Sequence, residues 1–580
     1  IFIIYSLMMM QLWTVLFLAI HTVTVHGVNH ETLGFDMDCN TLLSENGFAP
    51  HDMSRFDGGC AKMTFCSRSV QRGYGGGYGG EPSYGYRWSM GGVETECTSP
   101  GPMWVFEPGR TYGVVFCNDV SGEFTNLHTH GLHITGSANS DDVTRKVHHD
   151  QCIFYEYAIP ADHMGGTMWY HPHPHEHTEE QVKGGCFGFI KVKDRASVDD
   201  VVAVTSADYS GSDRLKVYDF LTDETRDISI MAVFSDGNWV NANHGASGSH
   251  TYSIDADTWY RVRLITINAN AEPETVTFPS ACTTHAIAHD GVYRFQVPKA
   301  AQSSHLMTGA SRLDVFMKCS AGNHDVMLSH GWGGHRRSSG NVTGTSSARW
   351  GNSWDGDSWS GTPSFAVFDV TSSSTPDDHV PFKSVAEPWS SYRPYYLRDL
   401  RAANVDGTFS VDVSSDDING VTYDEACPLR DVDYDTIQEW TLESVNRHPF
   451  HLHLYHQQVV SDCGDGHDVG EYYDVIAEDD GGRWRGYGGG SRADCKVRFD
   501  TVDVGGRTIM HCHILRHEDR GAMGWVDVVD GPNSQIEPCC DTSASNCACV
   551  LEQDSSNDCS GGGGGSGGGW GGGGGGSNWG

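Results

Sequence analysis

Residues 511–517 read His-Cys-His-Ile-Leu-Arg-His. On an extended strand this spacing sends His511 and His513 to one face and Cys512 to the other. A thiolate with an imidazole five residues on, His517, suits a trigonal copper that takes up one electron, and the two flanking imidazoles suit a second centre directly behind it. Read this way, one strand stands between two metal sites; the alternative is a buried cysteine flanked by two surface histidines.

Three further histidine clusters support this reading. His128-Thr129-His130-Gly131 and His171-Pro172-His173 each put two imidazoles on one strand face, and both follow strand-like runs. Far downstream, His448-Pro449-Phe450-His451-Leu452-His453 precedes the Cys512 segment. A single His-x-His is a weak signal in a chain with 31 histidines among 580 residues, whereas four clusters in this order, one carrying the cysteine, are a strong one.

The segments LHTHG, WYHPH, HPFHLH and HCHILRHED resemble, in order and spacing, the four copper-binding signatures of multicopper oxidases, the laccase and ferroxidase superfamily. The wording is most similar to bacterial-type laccases. The resemblance covers roughly residues 90–530 and includes Pro100-Gly101-Pro102 with Glu107-Pro108-Gly109, and Ile159-Pro160-Ala161-Asp162-His163 leading into Gly166-Thr167-Met168-Trp169-Tyr170. It implies four copper ions. His448, Cys512 and His517 would hold the type 1 copper, and His128 and His451 the type 2 copper. His130, His171 and His513 would hold one type 3 copper, and His173, His453 and His511 the other. Four imidazoles then come from each end of the chain, so the three-copper cluster can form only where two domains meet. The middle of the chain supplies no ligand cluster, and is expected to act as a spacer and as one wall of the substrate site.

One position departs from the family pattern. The axial methionine of some members sits ten residues after the copper-binding cysteine, where this chain has Ala522, followed by Met523. An aliphatic residue there leaves a three-coordinate copper with a higher potential than a Met-ligated relative, unless water enters or Met523 swings in. Two acids resemble proton-handling groups of the family: Glu518 in the His-Glu-Asp run, and Asp141 beside the type 2 copper. Their alternative readings are a turn cap for Glu518 and a solvated acidic loop for Asp141. His133, His175, His177 and His456 fall outside the ligand positions and read as supporting or surface groups. The sequence has no Walker-type phosphate loop and no plausible Gly-x-Ser-x-Gly elbow.

The net charge of −37 argues against nucleic acid as a partner. It suits cationic substrates, or simply an exported soluble protein. The apolar run Leu12–Ile20 reads as part of a signal peptide spanning 1–27, with an uncleaved membrane anchor as the alternative. Secretion is the expectation, and cysteine usage agrees. Of 18 cysteines, one is committed to copper and the other 17 cannot all pair within the chain. Cys282 and Cys319 are a plausible bridge. Cys539, Cys540, Cys547, Cys549 and Cys559 crowd a tail where disulfides are favoured over metal. Asn341-Val342-Thr343 is a glycosylation acceptor motif.

Short alternating runs such as Tyr260-Arg261-Val262-Arg263-Leu264-Ile265 and Lys496-Val497-Arg498-Phe499, separated by Gly, Asp and Asn turns, predict an all-β chain without long amphipathic helices. The resemblance implies three cupredoxin-like Greek-key sandwiches, at 60–196, 197–380 and 381–535, after an extension at 28–59 and before a Cys-rich then Gly-rich tail at 536–580. Segments 71–87, 329–364 and 560–580 are too rich in Gly, Ser, Tyr or Trp to build a core and are expected to be flexible. The expected function is an oxidase that takes single electrons from phenols or aromatic amines and reduces dioxygen to water. The alternatives are a metallo-oxidase acting on Fe(II), Cu(I) or Mn(II), and a non-enzymatic extracellular copper-binding protein. Nitrite reduction is disfavoured because it needs no filled type 3 pair.

Overall fold

Runs that alternate apolar and polar residues become strands, and the apolar face of each strand closes a sandwich. The computed structural model describes residues 32–531, apart from 47–54, 69–82, 91–92, 138, 204–208, 236–237, 243–248, 272, 331–363, 373–380, 446–447, 465 and 478–494. The expected leader, the Asn341 acceptor, the tail cysteines and the Gly-rich end lie outside the described residues.

The first sandwich pairs a five-stranded sheet, which includes Gly59–Ser67, Thr111–Asn118 and Cys152–Ala158, with a four-stranded sheet. The latter runs in the order Trp104–Phe106, Gly188–Val192, Gly166–His171, His128–His130. Trp104 and Tyr170 stack at 4.4 Å inside it. One expectation is corrected here. Residues 84–87, placed in a flexible Gly-rich segment, belong to the strand Tyr84–Met90, because Tyr84, Tyr86 and Trp88 alternate into the core and anchor it. The N-terminal stretch also docks on this sandwich. Its helix Cys39–Glu45 is capped by Asp38, whose carboxylate accepts from Thr41 N at 2.9 Å, and it is tied down by the Cys39–Cys60 bridge.

The second sandwich joins a six-stranded sheet, which includes Asp227–Ser235, Tyr260–Ile267, Arg312–Cys319 and Cys282–His289, to a five-stranded one. The bridge expected between Cys282 and Cys319 is present across neighbouring strands. The alternating run Tyr260–Ile265 is a strand as expected, and every residue of Tyr260–Ile267 is buried, Arg261 and Arg263 included. The arginine face packs on the first sandwich. Arg261 donates to Asp314 through Nε at 3.1 Å and to Asp194 through Nη1 at 3.1 Å, while Arg263 reaches Asp227 at 2.7 Å and the Thr167 hydroxyl at 3.1 Å. Buried arginines are tolerated here because each faces carboxylates in a forked geometry.

The third sandwich has two five-stranded sheets, one of which carries Phe450–Leu452, Gly506–Cys512 and Met523–Val529 side by side. Trp169 of the first sandwich, Ile265 and Ile267 of the second, and Val475 and Leu515 of the third share one buried apolar cluster. That seam is where the histidine clusters from the two ends of the chain meet. Gly211–Thr222 forms a twelve-residue helix that strand alternation does not anticipate. Its start is marked by a reciprocal cap between Ser210 and Asp213.

Candidate metal centre

Strand register brings the clusters together. In the first sandwich His128 lies opposite His171 and His130 opposite Trp169, so the two histidines of His128–His130 share a face with His171. Pro172 then ends the strand. His173 is placed by its backbone N–H, which donates to Asn126 Oδ1 at 2.7 Å. In the third sandwich Phe450 lies opposite Cys512 and His451 opposite His511. The His453 N–H donates to Ile509 O at 2.9 Å and the His513 N–H to Pro449 O at 2.7 Å. The expected alternation therefore holds: Cys512 enters the sandwich core with Phe450, while His511 and His513 face the other way with His451 and His453.

Eight histidines, His128, His130, His171, His173, His451, His453, His511 and His513, come together in one cluster, and each is at most 2 % exposed. Ring nitrogens of three sets, His128/His130/His451, His130/His171/His513 and His173/His453/His511, each fall within 4.8 Å of one another. The histidines are held by hydrogen bonds on the side away from the centre of that cluster. His128 Nδ1 contacts Asp141 Oδ2 at 2.8 Å, His171 Nδ1 contacts Pro172 O at 2.9 Å, and His451 Nδ1 contacts Asp474 O at 2.7 Å. Nε2 of each of these three is left buried with no hydrogen-bond partner, as are Nε2 of His453 and Nδ1 of His130. Burial and the neighbouring imidazoles lower the pKa of all eight rings, that of His171 to about 3. Eight neutral imidazoles that converge, seven of them with an orphaned ring nitrogen, fit a metal cluster and suit little else.

The second site lies on the opposite face of the same strand. Cys512 Sγ is 3.6 Å from His448 Nδ1 and 3.5 Å from His517 Nδ1. A metal held by one sulfur and two nitrogens at about 2.0–2.3 Å in a trigonal plane sets such donors about 3.7 Å apart, so the separations fit. Cys512 is wholly buried, whereas His448 and His517 are half-buried and present a solvent-facing edge.

Both expected acids face the histidine cluster. Asp141 also accepts from Thr129 N at 2.6 Å and Thr129 Oγ1 at 2.8 Å. Burial pushes its carboxyl up to about 7 against those hydrogen bonds. It is therefore not a solvated loop acid, although a cavity of about 10 Å³, the size of one water, opens beside it and His453. Glu518 sits on the short helix Leu515–Glu518 with its oxygens 3.4 Å from His173 Nδ1 and 3.2 Å from His511 Nδ1. Full burial pushes this carboxyl well above the usual carboxylate range. The neighbouring Asp519 takes the capping part, accepting from Thr178 N at 3.0 Å and Glu179 N at 2.8 Å.

The remaining histidines stay outside the metal positions. His133 stacks on Tyr396 at 3.9 Å and contacts Leu454 O, His177 pairs with Glu123 at 2.9 Å, His175 packs edge-on against Tyr423, and His456 reaches Asp290 O at 2.8 Å. Three residues of the surround, Asp474, Arg312 and Asp290, carry no sequence signal of their own. They lie in ordinary strand and turn text, and become visible only once the sandwiches are docked.

A cluster of neutral histidines backed onto a cysteine–dihistidine site defines a copper oxidoreductase, and comparison with known proteins agrees. Two family models described as multicopper oxidase match residues 91–197 and 397–532. A multicopper oxidase of Staphylococcus aureus is 24 % identical over 452 residues, 74 % of this chain and 82 % of that protein. An iron transport multicopper oxidase, FET3, of Saccharomyces cerevisiae is 24 % identical over 182 residues, 29 % of this chain and 26 % of that protein. Among solved structures, a multicopper oxidase from Campylobacter jejuni described as a metallo-oxidase aligns with a TM-score of 0.58 at 15 % identity, covering 82 % of this chain and 91 % of that one. A laccase from Pediococcus acidilactici aligns with a TM-score of 0.58 at 16 % identity, covering 87 % and 94 %. Over both ligand-bearing regions the chain is similar to multicopper oxidases, and its three sandwiches are cupredoxin-like.

Proposed function

We propose that this protein is a secreted, laccase-like oxidase that takes single electrons from phenols or aromatic amines and reduces dioxygen to water with four electrons and four protons. The observation that carries this reading is the strand Gly506–Cys512 with His513 directly after it, which offers Cys512 to one donor set and His511 and His513 to the other. Copper bound at these sites would supply one-electron redox chemistry at Cys512 and dioxygen reduction in the histidine cluster.

The ligand sets are those implied by the family resemblance: His448, Cys512 and His517 for one copper, His128 and His451 for a second, His130, His171 and His513 for a third, and His173, His453 and His511 for a fourth. The half-buried rims of His448 and His517 form the edge against which a reductant would dock to pass electrons to a copper held there. Burial of all eight cluster histidines excludes bulk water, so protons must come through the protein. Glu518 holds a proton at Oε1 or Oε2 beside His173 and His511. Asp141 orients His128 through its Nδ1–H and stands next to the one-water cavity.

A metal-ion reductant is the second reading. It is favoured by Asp416, whose charge acts on His517 and whose side chain is 60 % exposed. Oxygen uptake by the copper-loaded protein, measured with a phenol and with Fe(II), separates the two. One dioxygen consumed per four phenols oxidised supports the first reading, and turnover with Fe(II) alone replaces it with the second.

A further inference from the structure

Among the described residues the donor sets named above draw nothing from the middle sandwich, yet one of its arginines reaches the back of the histidine cluster. Arg312, at the start of the strand Arg312–Cys319, is 1 % exposed. Its guanidinium forks onto the carboxylate of Asp474 in the third sandwich: Nη1 donates to Oδ1 at 2.7 Å and Nη2 donates to Oδ2. The remaining donors are also committed, Nε to Thr167 O at 3.2 Å and Nη2 to Asp290 O at 3.0 Å. Asp290 completes the clamp. Its Oδ1 accepts from Arg312 N at 2.8 Å, and its Oδ2 accepts from Asp474 N at 3.1 Å and Val475 N at 3.3 Å. Asp474 is thus gripped by its side chain and its backbone at once.

What Asp474 does with that rigidity concerns two rings. Its Oδ1 faces His130 Nε2 at 3.3 Å, and its backbone O accepts from His451 Nδ1 at 2.7 Å. The two imidazoles lie stacked at 3.8 Å with 8° between their planes. One residue therefore selects opposite nitrogens on two adjacent rings. His130 is left to present Nδ1 and His451 to present Nε2, and these are the atoms found buried and unpartnered. Gly131 makes the approach possible, because a Cβ there would stand 2.3 Å from Arg312 Nη2.

We propose that Arg312 and Asp290 of the middle sandwich are positioning residues of the copper cluster, which fix the tautomer and orientation of His130 and His451 by immobilising Asp474. The proposal rests on the copper reading above. It makes the middle domain part of the metal centre rather than a spacer. An Arg312→Lys change keeps the charge but removes the planar fork that holds both carboxylate oxygens.

The test loads wild-type protein, Arg312→Lys and Asp474→Asn with copper. It then follows copper retained per chain during dialysis against a chelator, the electron paramagnetic resonance of the bound metal, and the visible absorption of the Cys512 site. The expected result is that both variants keep the Cys512-site absorption but lose metal from the histidine cluster about 10–100-fold more readily, with an altered resonance signal. If Arg312→Lys does not fold, Asp290→Asn, which leaves the Arg312–Asp474 pair in place, is read in the same way. Variants with wild-type retention and resonance would overturn the proposal. So would equal loss of the Cys512-site absorption, which marks a general loosening of the seam. A wild-type chain that binds no copper refutes the copper reading itself, so the two failures are distinguishable.

Discussion

Met523 is the register partner of His511, not of Cys512. Its side chain packs with Val143, Ile509 and Trp525, while Ala522 lies in the sandwich core with Cys512 and is bound to it by the Cys512 N–H to Ala522 O hydrogen bond at 2.9 Å. The methionine that sequence left as a candidate to swing in is thus turned to the other face of the sheet.

Ala522→Met should therefore supply a donor that the Cys512 site lacks. Its reduction potential should fall by about 60 mV or more, a tenfold change in a one-electron equilibrium. Met523→Leu should leave it unchanged. Redox titration of the visible band checks both, and a shift caused by Met523→Leu would place the thioether at the metal after all.

Asp141 and His128 are coupled through a 2.8 Å contact inside a buried pocket. Asp141→Asn removes the carboxyl acceptor that holds His128 Nδ1. Oxygen uptake should drop by about 10–100-fold while the Cys512-site absorption persists. Undiminished uptake would reduce Asp141 to a loop anchor for Thr129.

Glu518 faces the neutral rings of His173 and His511, and burial holds its carboxyl well above the usual carboxylate range. Glu518→Gln preserves shape and removes proton exchange. Turnover should fall by about 10²–10⁴ with little change in copper content. Steady-state oxygen consumption at neutral pH is the measurement, and full turnover would remove the assignment.

The joint between the first two sandwiches has its own pH signature. Burial raises the Asp227 pKa, but Arg263, Lys191 and Arg261 outweigh it and hold the carboxyl below its ordinary value of 3.8. A depressed acid contributes stability that is fully present above that ordinary value and is lost as pH falls through the folded one. Asp227→Asn should cost about 3–5 kcal/mol at neutral pH, because Arg263 and Lys191 lose their buried partner. Urea unfolding of the metal-free protein should show the gap to wild type narrowing once pH drops below 3.8. A gap independent of pH would mean that the loss is one of packing.

The clustering of the candidate donors could be read from the sequence because the period-two alternation of a strand is local: His511, Cys512 and His513 sort themselves onto two faces wherever the strand lies. The same logic, applied to Tyr84, Tyr86 and Trp88, would have kept those residues out of a flexible segment, but the surrounding glycines masked it. What could not be read is what depends on docking. Arg261 and Arg263 look like the solvent face of a strand until a second sandwich covers them. Arg312, Asp290 and Asp474 are far apart in sequence, in ordinary strand and turn text, and nothing local foretells that they meet behind His130 and His451. The helix Gly211–Thr222 carried one signal, Ser210 three residues before Asp213, with no clear apolar stripe to support it.

The central claim is that one strand serves two copper sites, and Cys512→Ser tests it most directly. Copper-loaded wild-type protein should hold four copper ions per chain and be intensely blue. The serine variant should lose the blue band and hold three, with the histidine cluster still filled. A wild-type protein that stays colourless after copper loading, or a serine variant with unchanged colour and copper content, would contradict the account.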